Sequence, residues 1–345
     1  MPALEFGLDT FGDVTMSGTT SVSHAHVLRD VIEQAVLADE MGIDFIGLGE
    51  HHRADFAISA PEVALAAIAG RTRRIRLGSA VTVLSSDDPV RVYQRFATLD
   101  AVSNGRAEVI VGRGSFVESF PLFGYPLDQY ETLFEEKLEL FVALLRHPEV
   151  TWQGTVRPGL NRQRVFPPVE LGPDRRELTT WVGVGGSPES VVRAAGYDLP
   201  MLLAIIGGEP ARFRPYVDLY HRAAAQAGRP PRAIGVHSPG YVAETDEQAR
   251  SEFWLPYKGM RDRIGAERGW PPMQQAEYDR EIADGSLYVG GPETVARKIA
   301  DTVRTLGAAR FQLKYSAGAL SHDKLMRCID LYGRRVIPLV RDMLA

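Results

Sequence analysis

The sequence predicts an α/β fold, a (β/α)8 barrel, on three observations. Eight short apolar runs alternate with eight amphipathic helical patterns along the 345 residues. Within the runs, apolar residues stand on consecutive positions rather than on every second one, as in parallel strands covered on both faces. The residue types that carry chemistry collect where several of these runs end, and that end of a barrel strand is where active sites sit. A doubly wound open sheet is the other architecture that the same alternation would build.

The strand runs are 4–9, 43–48, 75–80, 107–111, 179–184, 200–205, 233–242 and 310–315. Helical periodicity fills 26–41, 59–70, 89–103, 129–146, 188–197, 209–227, 292–306 and 321–343. Two helix starts are marked chemically. Asp88 and Ser187 stand at N-cap positions, each followed by a proline whose fixed φ suits a first helical turn. Two stretches break the repeat. Residues 148–178, rich in Pro, Gly and Arg, predict an irregular excursion between the fourth helix and the fifth strand. Residues 245–288 hold Trp254, Tyr257, Trp270 and Tyr278 among charges. Because this second stretch follows a strand, it is expected over the barrel mouth as a lid, although its aromatics would equally make a satellite core. The whole chain, 1–345, reads as a single domain.

A formal net charge of −5 provides no basic field for nucleic acid or anionic lipid. The one tight basic cluster, Arg71, Arg73, Arg74 and Arg76, reads as a solvated helix-to-strand connection. The lone cysteine, Cys328, lies in an apolar helical pattern and is assigned to the core. The N-terminus has no basic region followed by an apolar run, and no stretch reaches about 18 apolar residues. These features predict a cytoplasmic protein that neither spans nor enters a membrane.

Three constellations carry chemical potential. The strand at 43–48 ends in Glu50-His51-His52, a carboxylate beside two imidazoles. Adjacent residues on extended backbone point to opposite sides, so this pair is a poor metal clamp, and no metal site is expected. After the fifth strand, Gly183-Val-Gly-Gly-Ser-Pro-Glu-Ser190 puts glycines before a helix N-terminus, a natural anion site, with Ser187 and Ser190 three apart. A plain N-cap explains the same residues. The turn is not a dinucleotide fingerprint, because proline stands at 188 where the third glycine belongs. At the end of the fourth strand, Val109-Ile-Val-Gly-Arg-Gly-Ser115 sets Arg113 between two glycines, where a guanidinium could meet a phosphate or a surface carboxylate. Barrel order would make the fourth and fifth strands neighbours and bring the two anion signals together. The third strand ends in the small residues Gly78, Ser79 and Ala80, which leave room for a flat ligand or for close helix packing. A serine hydrolase elbow, G-x-S-x-G, is absent.

Four segments in this order resemble the bacterial luciferase-like, flavin-dependent monooxygenases over nearly the whole length. They are Gly47-Leu-Gly-Glu-His-His52; Leu77-Gly-Ser-Ala-Val-Thr-Val-Leu84 with Asp88-Pro-Val-Arg91; Asp100-Ala-Val-Ser-Asn-Gly-Arg106 with Gly112-Arg-Gly114; and Gly185-Gly-Ser-Pro-Glu-Ser190 with Leu199-Pro-Met201. The resemblance implies a TIM barrel binding FMN at its C-terminal face, as a homodimer. It implies oxidation of a small organic substrate by reduced FMN and O2 through a flavin peroxide, the reduced FMN coming from a separate flavin reductase. His51 matches the family's active-site histidine, an acid/base or hydrogen-bond partner, with Glu50 expected to orient it. Arg113, Gly185, Gly186, Ser187 and Ser190 match the phosphate-binding segments. Ala80 and Val81 match the strand end against which the flavin ring packs, often through a non-prolyl cis peptide. Two departures, Gly112 in place of a reactive cysteine and Gly186 in place of an acid, argue against light emission. Phe116, Phe120, Phe123 and the lid aromatics are expected to line a substrate pocket. Deazaflavin-dependent hydride transfer on the same barrel and non-catalytic FMN binding are the alternative functions.

Overall fold

The computed structural model describes residues 4–14, 16–17, 20–114, 116–170 and 177–345. Ser115, which closes the arginine motif, and 171–176 of the excursion lie outside them. Eight parallel strands form the barrel: β1 (Glu5–Thr10), β2 (Phe45–Leu48), β3 (Arg76–Ser79), β4 (Ala107–Gly112), β5 (Thr179–Val184), β6 (Met201–Ala204), β7 (Ile234–Val242) and β8 (Arg310–Lys314). Each strand pairs with the next, and β8 pairs back with β1 through Glu5–Arg310 and Asp9–Lys314. The sheet is therefore closed, not an open doubly wound one. Every strand lies within two residues of its expected bounds.

Helices cover the outside: α1 (His24–Glu40), α2 (Pro61–Ala69), α3 (Pro89–Val102), α4 (Tyr130–Arg146), α5 (Pro188–Gly196), α6 (Arg214–Gln226), α7 (Asp246–Arg268), α8 (Gln275–Ala283), α9 (Pro292–Leu306), α10 (His322–Leu331) and α11 (Ile337–Leu344). The expected caps are made. Asp88 accepts from the N–H groups of Val90 and Arg91, and Ser187 accepts from that of Ser190. In α9, Val295, Ile299, Val303 and Leu306 recur at helical spacing and are buried, each contributing roughly 1.5–3 kcal/mol. Cys328 is fully buried, as its pattern required.

The arginine cluster before β3 is only partly solvated. Arg71 reaches the exposed Glu33, but Arg74 donates to the Asp39 carbonyl, and Arg76 turns into the N-terminal end of the barrel. There Arg76 and Arg310 share Glu5 and Glu108, with Arg310 bidentate on Glu108 at 2.8 and 3.1 Å. Arg310 is 1% exposed and its guanidinium lies 4.4 Å from the Trp181 ring centroid. Periodicity reads such residues as solvated because it counts charge and not the partners a closed barrel provides.

The excursion after α4 carries a small antiparallel hairpin, Val150–Trp152 with Leu160–Gln163. The stretch expected as a lid is largely helical, α7 followed by α8. Its aromatics Phe253, Tyr257 and Tyr278 are buried with Tyr241, and the half-buried Trp254 packs on Tyr278, so they form core and do not line a pocket; Trp270 alone among them is exposed. The far end of α7 does reach the barrel mouth, where Glu267 clamps Arg53 and Arg263 lies 3.6 Å from Asp55.

Candidate active site

At the C-terminal end of the barrel, Ala80 and Val81 follow β3 and are ringed by residues without side chains. A Cβ on Gly47 would lie 2.7 Å from the Ala80 Cβ, and one on Gly112 2.8 Å from a Val81 methyl. One on Gly183 would lie 3.1 Å from the other Val81 methyl. Glycines on β2, β4 and β5 thus leave a smooth strip around this dipeptide, whose peptide bond is cis.

Beside the strip, β4 and β5 are paired, so the residues following them converge. Arg113 bonds Glu131, places its other terminal nitrogen 3.4 Å from the Ser187 Oγ, and lies over the Tyr130 ring. Ser187 Oγ donates to Ser190 Oγ at 2.8 Å. Gly186 has φ +111, a conformation open to glycine at no steric cost, and its carbonyl accepts from Tyr216 at 2.7 Å. Nothing lies within 4 Å of a Cβ placed on Gly185. Arg113, Gly185, Gly186, Ser187 and Ser190 therefore form one surface. A carboxylate, Glu131, already rests on its guanidinium.

His51 is almost buried after β2. Its ring centroid lies 4.6 Å from Phe11, 4.6 Å from Phe56 and 4.9 Å from Phe116. Its Nδ1 stands 3.5 Å from Glu118. Burial alone would push the Glu118 carboxyl up, but its contact with His51 and backbone N–H groups bring it below the ordinary glutamate value. Glu50 does not orient His51. Its Oε1 meets His52 Nε2 at 2.9 Å and its Oε2 accepts from the Val83 N–H at 2.9 Å. The reason is the extended backbone, which sends the side chains of 51 and 52 opposite ways. Glu118 takes the place next to His51, and no sequence signal singled it out.

Of the three phenylalanines assigned to a pocket, Phe116 reaches His51. Phe120 is fully buried and stacks on Tyr130, which makes it packing, and Phe123 touches His52 while half-exposed. Phe11 and Phe56 were missed, since neither lies in a motif. Next to Phe116, under which Arg53 sits at 4.9 Å, a cavity of about 580 Å³ is lined by Val14, Arg53, Asp55, Arg263 and Gly318. That is the size of a small organic ligand. Among the described residues no cluster of three or more His, Cys, Asp or Glu could hold a metal ion, and no helix is long and apolar enough to cross a membrane.

Residues 4–310 match the model of the luciferase-like monooxygenases, and the chain belongs to that family. Its relatives make it an oxidoreductase of the monooxygenase type. The 4-hydroxyprotoasukamycin monooxygenase of Streptomyces nodosus subsp. asukaensis is 28% identical over 331 residues, 89% of this chain and 85% of that one. Among solved structures, the oxygenating constituent of 3,6-diketocamphane monooxygenase from Pseudomonas putida, a type II Baeyer–Villiger enzyme in complex with FMN, is 19% identical. It aligns with a TM-score of 0.78 over 98% of this chain and 99% of that one. An F420-dependent secondary alcohol dehydrogenase aligns with a TM-score of 0.74 at 17% identity, over 99% of this chain and 100% of that one. Both structures share the fold.

Proposed function

We infer that this protein is a flavin-dependent monooxygenase that uses reduced FMN and O2 to oxidise a small organic substrate. One observation carries the reading: the anion surface at Arg113 and Ser187 adjoins the glycine-walled strip at Ala80–Val81, with His51 in the same barrel mouth. FMN is a flat ring joined to a phosphate, and these residues fit it. Arg113, Ser187, Ser190 and the backbone of Gly185 and Gly186 would hold the phosphate. Ala80 and Val81 would take the ring, held close to β4 and β5 because glycines at 112 and 183 let Val81 pack against their backbone.

When bound, FMN supplies the two-electron chemistry that activates O2; this chain supplies the surroundings. Phe11, Phe56 and Phe116 keep water from His51. Glu118, close to Nδ1, fixes the imidazole and leaves Nε2 to hold or pass a proton. In this reading Glu118 positions and His51 touches the reacting groups, while Glu50 holds the loop through Val83. No nicotinamide fingerprint is present, so reduced FMN would come from a separate reductase. The named relatives and neighbours act on compounds as different as an alkanal, 4-hydroxyprotoasukamycin and 3,6-diketocamphane, and the aromatic walls around His51 favour an apolar organic substrate.

The test is to mix the protein with reduced FMN and then with O2, following flavin absorbance. Reoxidation slower than that of free flavin supports the reading, and reoxidation at the free rate without FMN binding refutes it. The alcohol dehydrogenase alignment gives a second reading, hydride transfer with a deazaflavin. Binding of that coenzyme in preference to FMN, with no O2 uptake, would establish it.

A further inference from the structure

Asp9 and His237 meet inside the barrel, where the mechanism above makes no use of them. Asp9 Oδ2 lies 2.7 Å from His237 Nδ1. They stand on β1 and β7, with β8 between those strands, so their side chains can touch only in the barrel interior. The Asp9 side chain is wholly buried and that of His237 is 10% exposed. Asp9 Oδ1 has no hydrogen-bond partner, an uncommon state for a buried carboxylate oxygen. Directly below, Gln312, in register with His237, is also wholly buried and leaves both its amide oxygen and its nitrogen without partners.

This polar group adjoins the strip at Ala80–Val81. A Cβ on Gly47 would lie 3.3 Å from the Asp9 Cβ and 2.7 Å from the Ala80 Cβ. Asp9 and Ala80 thus pack against the same glycine, with no room between them for a side chain at 47. The bond to Asp9 also settles which imidazole nitrogen is free. Nδ1 is engaged, and Nε2 makes no hydrogen bond to any described residue. A buried carboxylate holding an imidazole by one nitrogen fixes the ring's orientation and presents the other nitrogen, the arrangement by which Asp–His pairs serve a third group.

We propose that Asp9 and His237 form a second polar anchor of the mouth, His237 Nε2 and the free Asp9 oxygen facing the ring of the bound flavin, where they set the balance between its oxidised and reduced forms. The inference rests on the flavin reading of the site. Its physical content is charge. Reduced flavin is largely anionic near neutral pH, and a carboxylate nearby disfavours it more than the neutral oxidised form. The imidazole offsets that repulsion.

The test measures affinity for FMN and for riboflavin, each oxidised and, without O2, chemically reduced, by flavin fluorescence and visible absorbance. Asp9→Asn removes one negative charge and is expected to shift the affinity ratio about tenfold towards the reduced form. His237→Gln leaves the carboxylate uncompensated and shifts the ratio the other way. Both effects should appear with FMN and riboflavin alike, because they act on the ring. Arg113→Ala is the control: it weakens FMN, spares riboflavin and leaves the ratio unchanged. If the wild-type protein binds neither flavin, the flavin reading falls and the anchor with it. If it binds FMN and Arg113→Ala behaves as stated, yet Asp9→Asn and His237→Gln keep the wild-type ratio and spectrum, the anchor alone is overturned. Thermal unfolding without flavin checks each variant, and should one fail to fold the other decides. Failure of both would make the pair structural and overturn the proposal.

Discussion

Arg113 is tied to a competitor, and that fixes both the sign and the size of what its removal should do. Its side chain is 24% exposed, with one nitrogen on Glu131 and the other near Ser187. A phosphate seated on the Ser187 turn would receive charge-assisted hydrogen bonds from this guanidinium, contributing about 1.5–3 kcal/mol. Glu131 is 59% exposed, so releasing it costs at most about 1 kcal/mol. The net contribution to FMN binding is then about 0.5–2 kcal/mol. Arg113→Met should weaken FMN roughly two- to thirtyfold, with turnover at saturating FMN little changed. Glu131→Gln removes the competitor and should tighten FMN by up to about fivefold. Titration against flavin fluorescence reads both, with riboflavin, which lacks the phosphate, as the reference ligand. Equal weakening of FMN and riboflavin by Arg113→Met, or weaker FMN binding in Glu131→Gln, would refute the assignment of this surface to a phosphate.

The other predictions test separate parts of the molecule. His51→Ala should retain FMN binding and lose most product formation, and wild-type turnover in that variant would remove His51 from the chemistry. Gly112→Val would bring a Cβ to 2.8 Å from Val81, so it should cost about 1–3 kcal/mol of stability and, by displacing Val81, weaken flavin binding; wild-type affinity in the folded variant would show that the strip is not the ring site. Arg310→Met strands the buried Glu108 with only Arg76 and should cost about 3 kcal/mol in urea unfolding, with flavin affinity unchanged. Burial pushes the ammonium groups of Lys137 and Lys298 down from 10.5 to about 8. Above pH 8 the unfolded chain therefore holds more protons than the folded one, and stability should rise from pH 8 to about 10, by on the order of 3 kcal/mol at most for Lys137. Beyond about pH 10 the buried tyrosines, Tyr220 among them at about 12, reverse the trend. Unfolding midpoints across that range should rise less in Lys137→Met, and parallel curves would exclude this source.

The barrel was legible because its signals are local. Apolar runs bounded by turns, Asp88 before Pro89 and Ser187 before Pro188 each encode an element without reference to the rest of the chain. The convergence of Arg113 and Ser187 was legible for a similar reason, since they sit at the ends of strands that barrel order makes neighbours. Glu50 misled because nearness in sequence suggested a partner for His51 that extended backbone rules out. Glu118 supplies that carboxylate from a loop 67 positions away, reached only once β2 and β4 are closed into one mouth. Asp9 and His237 were hidden in another way. Each is a polar residue within a buried strand and outside any motif, 228 positions apart, and only closure of β7, β8 and β1 joins them.

Closure also explains why the barrel divides its tasks along its axis. Side chains four apart on a strand share a face and stand about 13 Å from each other along it. The pairs Glu5 and Asp9, Arg76 and Ala80, Glu108 and Gly112, and Arg310 and Lys314 all have this spacing. The first member of each pair belongs to the charge network that closes the N-terminal end. The second stands at the open end, where two of the four strands give up side-chain bulk at Ala80 and Gly112 and two keep a charge. Asp13 satisfies the charge on Lys314 at 3.1 Å, whereas Asp9 retains a free oxygen. Under the proposed function, four strands thus carry stability and the ligand site on the same inward face with little overlap between them. A change at the lower position should act on unfolding and a change at the upper on flavin affinity. Flavin affinity, unchanged in Arg310→Met on β8 and weakened in Gly112→Val on β4 across the closed sheet, separates the two.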